Sequence, residues 1–220
     1  MIDQNYITFF KGLEENNKKE WFDNHRKDYE NHVRKPFIEL IEALIPALLE
    51  IESSLHTDTK KTLFRINRDT RFSKDKTPYN TLMKASLSSK GRKSEVPGFY
   101  VGIGAEHVHV GGGLYQLKKE RLMKVRDLIA SNHKEFKAIL GNSKFQSNFG
   151  ELQGERNKRL DKKYTDFENE LPYIANKQFY AMAKFKTSEF IKENNQVETL
   201  MRYFRAIQPL HSFLNRAFHE

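Results

Sequence analysis

Leu82-Met-Lys-Ala-Ser-Leu-Ser88, Phe99-Tyr-Val-Gly-Ile-Gly104 and His107-Val-His-Val-Gly111 are three short strand candidates in quick succession, and their spacing decides the fold. Gly91, Pro97-Gly98 and Gly104-Ala-Glu106 mark the turns between them. Strands joined by turns, with no room for a crossover helix, form an antiparallel meander. Just upstream, Phe64 and Ile66 alternate with Leu63, Arg65 and Asn67, which reads as a further strand. Tyr180 to Lys186 reads as a fifth.

Helical patterns flank this block. Ile2, Tyr6, Phe9, Phe10 and Leu13 fall at helical spacing. Asn17 stands three residues before Glu20, the spacing of a capping box, so a second helix is expected from there through Trp21, Phe22, His25 and Tyr29 to Val33. Pro36 suits the first turn of a further helix, whose stripe runs Phe37, Leu40, Ile41, Leu44, Ile45, Leu48 and Ile51, with a kink or division expected at Pro46. Helices resume at Lys118 with Leu122, Val125, Leu128, Ile129, Phe136 and Leu140. Residues 141–176 read as a long irregular excursion, and Val197 to Phe218 as a C-terminal helix broken at Pro209. Helices, then strands, then helices predict an α+β fold: a mainly antiparallel sheet of about four to five strands packed against N-terminal and C-terminal helices. One domain over 1–220 is expected: helical over 1–56, sheet-rich over 57–116, and helical with a fifth strand over 117–220.

Composition narrows the function classes. The 220 residues hold no cysteine, which excludes disulfides, zinc–thiolate centres and thiol catalysis. The first residues carry neither a basic nor an apolar leader, so a cytoplasmic protein is expected. The longest apolar stretch, Ala43 to Leu49, is far below the ~18–20 residues of a membrane span, so no membrane partner is expected. The formal charge of +9 is uneven: −4 over 1–60, +7 over 61–100 and +6 over 101–220. A local cationic excess attracts phosphate, nucleic acid or an acidic protein, or else serves as a solvated basic face.

The basic segment reads Leu63-Phe-Arg-Ile-Asn-Arg-Asp-Thr-Arg-Phe-Ser-Lys-Asp-Lys-Thr-Pro-Tyr-Asn80. It resembles the signature of a family of uncharacterised bacterial and fungal proteins, a domain of unknown function. Asn16-Asn-Lys-Lys-Glu-Trp-Phe22, Gly111-Gly-Gly-Leu-Tyr115 and Pro209-Leu-His-Ser-Phe-Leu-Asn215 resemble that family's other motifs. The resemblance spans essentially the whole chain and carries no activity, substrate or catalytic residue with it.

In an extended chain Arg65, Asn67, Asp69 and Arg71 share one face, opposite Phe64, Ile66, Arg68 and Thr70. Two guanidiniums flanking Asn67 and Asp69 can grip a phosphate or carboxylate, with Lys74 and Lys76 following. The anion-binding candidates are therefore Arg65, Asn67, Arg68, Asp69, Arg71, Lys74 and Lys76. The competing reading is an internal network, Arg65–Asp69 or Arg71–Asp75, or arginines paired with Glu20, Asp23 or Asp28. Gly111, Gly112 and Gly113 follow a strand and precede a helix, where backbone can approach a phosphate, although tight packing explains them as well. Tyr79 is a further contributor and, with Phe99 and Tyr100, a candidate for base stacking. His107 and His109 share a strand face but lack a third ligand, and His25 and His32 stand too far apart on one helix, so no metal or other cofactor is expected. Asp28 before His32 gives a candidate acid–base pair.

Three functions follow: binding of a phosphorylated small molecule or nucleic acid at residues 63–80, an enzyme acting on a small anionic substrate, or a structural or partner-binding protein. No catalytic residue is assigned.

Overall fold

Asp3 starts the fold, its carboxylate accepting from the backbone N–H groups of Asn5 (2.9 Å) and Tyr6 (3.3 Å) to cap α1 (Gln4–Glu15). The structure, a computed structural model, describes residues 1–92 and 95–218. After α1 come α2 (Lys19–Asn24), α3 (Arg26–Asp28), a π-helical turn over Tyr29–Arg34 and α4 (Lys35–Ile51). The break expected before Pro36 does not occur, because Arg34 and Lys35 keep helical dihedrals. The wide π turn lies where the ladder must absorb the N–H that Pro36 lacks. Pro46 likewise stays inside α4, whose apolar stripe from Phe37 to Leu48 is buried along its length.

A short α5 (Thr59–Thr62) precedes the sheet, which is β1 (Leu82–Leu87), β2 (Gly98–Gly104), β3 (His107–Leu114) and β4 (Phe179–Lys186) in the order β1-β2-β3-β4, antiparallel throughout. The meander and the Tyr180–Lys186 strand are thus present. Leu63 to Asn67 is not a named strand: it makes only single bridges, Leu63 to Ala85 and Asn67 to Tyr79, because the chain folds back on its own return. Between β3 and β4 lie α6 (Lys119–Ser131), α7 (His133–Gly141), α8 (Ser143–Phe149) and α9 (Lys162–Thr165), followed by a 3-10 turn over Pro172–Ala175. The expected irregular excursion therefore carries helical turns. After β4 come α10 (Thr187–Phe190) and α11 (Gln196–Asn215), and Pro209 does not divide α11.

Alternation along the strands puts Met83, Ala85, Leu87, Phe99, Val101, Ile103, Val108 and Val110 in the core. Helix α11 lies against β3 and packs on α4. Buried Gln196 fixes α11 to the N-terminus, accepting from the N–H of Ile2 (2.9 Å) and donating to its carbonyl (2.7 Å). Both sheet edges are covered. Phe64 donates to Lys84 O (2.9 Å) outside β1, and Gln153 donates to Tyr180 O (2.7 Å) outside β4.

Gly111, Gly112 and Gly113 lie inside β3, paired with β2 and β4, rather than in a loop. A Cβ on Gly112 would run into Gly98 O and stand 2.7 Å from His211 Nε2. Gly113 has φ +124°, which side chains rarely tolerate. The triplet therefore serves close packing, Gly112 against α11 and Gly111 and Gly113 against the β4 backbone, and its place as a phosphate loop is corrected. His211 is buried beside Phe99, its Nε2 has no partner among the described residues, and burial pulls its pKa down to about 3.

Gly112→Ala is expected to lower stability by ~1–3 kcal/mol in urea unfolding, the usual cost of overpacking. His211 has a second consequence. A folded pKa below the unfolded value means that the unfolded chain binds the extra proton, so stability falls as pH drops from ~6.5 towards about 3. His211→Leu should lessen that fall, read as the change of urea midpoint with pH.

Candidate basic-loop site

Residues 63–80 form a hairpin-like loop standing outside β1. Its base is zipped by Arg68 N–H to Pro78 O (2.8 Å) and Asn80 N–H to Ile66 O (2.7 Å). The Asn80 side chain also donates to Ile66 O (2.9 Å) and accepts from Lys84 Nζ (3.0 Å). Ile66 and Tyr79 are buried. Asn17 clamps the return strand: its amide donates to Tyr79 O (3.0 Å) and accepts from Tyr79 N–H (3.1 Å). The Tyr79 ring stacks on Phe22 at 4.1 Å. This corrects the capping box. Lys18 occupies the cap of α2 and makes no side-chain cap bond, because the Asn17 amide is engaged across the fold. It also corrects Tyr79, which supports the loop from below and is not open to a ligand.

The tip, residues 69–77, is exposed or half-exposed and holds itself together. Arg71 forks onto Asp69, Nε to Oδ1 at 2.9 Å and Nη2 to Oδ2 at 2.7 Å, and this hydrogen bonding holds the Asp69 carboxyl down at about 2. Asp75 accepts from Thr77 N–H (2.9 Å) and from Arg68 (2.5 Å), and these bonds hold it at about 2. Arg68 also donates to the Thr77 hydroxyl, and Lys76 Nζ to Thr70 O (2.9 Å). The pairs are thus Arg71–Asp69 and Arg68–Asp75, different from those the sequence suggested. Among the described residues no helix carboxylate pairs with the loop, and Asp23 pairs with Lys19 and Arg26 of its own segment. The side chains of Arg65, Asn67 and Lys74 make no hydrogen bond or ion pair among the described residues. They face outward with no competing carboxylate bonded to them.

Phe72, which the sequence reading passed over, projects from the tip 96% exposed, with the Arg71 guanidinium 5.9 Å from its ring centre. The signal was available, since Phe72 sits among charged and turn residues with no apolar neighbour at spacing two, three or four. Phe99 is buried in the sheet, which removes it as a stacking residue, and burial pushes Tyr100 up to about 12. His25 stacks on Trp21 at 4.0 Å with Nδ1 at the Trp21 carbonyl, and no bond joins Asp28 to His32 among the described residues. His107 and His109 lie 6.4 Å apart, ring to ring, with Glu106 3.7 Å from His107, and among the described residues no cluster of three or more ligating side chains could hold a metal. Among the described residues no helix is long and apolar enough to cross a membrane.

The geometry separates the segment into a structural base and a free tip. Arg71→Ala should leave the melting temperature essentially unchanged, because its pair with Asp69 is solvated. Asn17→Ala should cost ~1–3 kcal/mol by orphaning the Tyr79 backbone. Thermal melts of the two variants side by side read the contrast.

A family model described as a conserved hypothetical protein (DUF2461) matches residues 5–213. Among curated proteins none matches the chain.

Proposed function

The chain belongs to this conserved hypothetical protein family (DUF2461), and from the geometry of its basic loop we propose that it binds an extended phosphorylated ligand, a single-stranded nucleic acid. The observation that carries the reading is Phe72: an aromatic ring fully in solvent, at the tip of a braced loop, with unpaired Arg65 and Lys74 near it in sequence. A large apolar ring held in water is an unfavourable arrangement that a stacked base relieves. The cations supply attraction to the strand without sequence preference. Internal pairing keeps the tip in one shape, so little ordering is needed on binding. Arg71 stands over Phe72 and can exchange Asp69 for a phosphate.

An extended partner is favoured over a small substrate by the surroundings of the tip. Two clefts, one lined by Phe136 and Pro172 and one by Leu122 and Arg126, both draw their walls from outside residues 63–80. A protruding surface fits a strand laid across it, whereas an enzyme acting on a small anion needs a pocket that excludes water.

Fluorescence anisotropy with a labelled oligothymidylate tests this. Binding should weaken steeply with salt, and Lys74→Ala or Arg65→Ala should each flatten the log–log salt slope by about 0.7. Phe72→Ala should cost ~1–3 kcal/mol of affinity at any salt concentration. No binding at low salt, or binding indifferent to Phe72, would refute the proposal.

A further inference from the structure

Helix α6 buries a cation that bonds no carboxylate among the described residues and is attracted by Asp161 only through space. Arg126 is 3% exposed. Its Nη2 donates to the carbonyls of Ala175 (3.3 Å) and Asn176 (3.1 Å), and Tyr164 lies with its ring centre 6.0 Å from the guanidinium carbon. Its Nε is buried without a partner, and no carboxylate pairs with it among the described residues. The nearby acids are otherwise engaged. Asp127 takes Lys163 (2.8 Å) and the Tyr164 hydroxyl (2.7 Å), and Asp161 accepts from Lys163 N–H (3.2 Å) to cap α9. Carbonyl dipoles orient a guanidinium but do not cancel its charge, and an uncompensated buried cation is costly.

Arg126 lines an open cleft of about 460 Å³. One wall is a face of α6: Lys119, Leu122, Met123 and Arg126 recur at helical spacing. The other comes from the segment that passes under β4 and supplies Arg159 and Lys177. Lys119 and Arg159 make no ion pair among the described residues, and Lys177 holds Glu155 by one long contact of 3.3 Å. Lys118, at the cap of α6, makes no side-chain cap bond, so the first N–H groups of this 13-residue helix are left for another acceptor. Asp161 is the one acid on the lining. The cleft thus has three unneutralised cations on its lining, one of them the buried guanidinium, and an apolar stretch at Leu122 and Met123.

We infer that this cleft binds a small phosphate monoester of about mononucleotide size. Its phosphate is drawn to the cations of the lining, Arg126, Arg159 and Lys119, and its organic body lies on Leu122 and Met123. The volume falls in the range of small-ligand sites, ~300–1,000 Å³. A phosphate supplies acceptor oxygens for Arg159 and Lys119, which make no ion pair among the described residues, and its charge suits the Arg126 cation in the wall. The cleft is distinct from the basic loop. The loop stands outside β1, whereas Lys177 leads into β4 at the opposite edge of the sheet.

Isothermal titration calorimetry of the full chain with AMP, inorganic phosphate and adenosine tests the site. AMP should bind saturably, inorganic phosphate more weakly, and adenosine not at all. Exposed Arg159→Ala and Lys119→Ala should each weaken AMP about tenfold, as expected for charge-assisted contacts, while Lys74→Ala on the loop leaves it unchanged. Arg126→Met should abolish the response to phosphate, and a cooperative melt of the free protein checks that the variant still folds without the donor to the Ala175 and Asn176 carbonyls. Failure of both phosphate-bearing probes to bind, equal binding of adenosine and AMP, or AMP affinity unchanged in Arg159→Ala and Arg126→Met would overturn the inference.

Discussion

The amide of Asn17 is the small contact on which the layout of the basic loop depends. It satisfies both the N–H and the C=O of Tyr79, as a neighbouring strand would, and so fixes the return limb of residues 63–80 against the N-terminal helices. Phe22 stacks beneath the same tyrosine. With the return limb held, the outgoing limb can zip onto it at Arg68 and Asn80, and Leu63 and Phe64 can cover the β1 edge. The tip is then projected from an anchored base, which lets a loop of this charge keep one shape while leaving Arg65, Lys74 and Phe72 in solvent.

The motifs spaced along the chain pair off in the fold. Asn17 and Phe22 meet Tyr79, and Gly112 meets His211. The first contact braces the loop, and the second brings α11 close onto β3 by omitting a side chain. Neither contact performs chemistry. Both are sites of tight fit, where a larger or differently hydrogen-bonding residue would have to displace backbone. The two binding surfaces proposed above lie where this framework leaves groups exposed or without a partner: the tip of the loop and the cleft beside Arg126.

The architecture was legible where local pattern and tertiary packing agree. The three strands of the meander carry alternating apolar residues and turn glycines, and the stripes of α4 and α11 keep helical spacing. The sequence misled where a distant partner overrides a local rule. Asn17 has the spacing of a cap but serves Tyr79. Pro46 and Pro209 remove donors without dividing helices whose buried faces hold them in place. Leu63 to Asn67 alternates like a strand yet pairs with its own return. For the loop, the pairing expected from the sequence does not form, because Arg71 turns back two residues to Asp69 and Arg68 reaches Asp75 across the tip. Arg126 gave no sign at all. In the α6 pattern it reads as one more surface charge, and its burial depends on residues 153–177 folding over it, a segment with no periodicity to announce it.

A phosphorylated strand bound at the tip of the loop would be seen by titrating the isotopically labelled protein with a short oligothymidylate and following backbone and aromatic NMR signals. Shifts are expected at residues 65–76, largest at the Phe72 ring, while Tyr79 and the β1 core residues Met83 and Ala85 stay still. Shifts that leave Phe72 unmoved, or that centre on another part of the fold, would contradict binding at the tip.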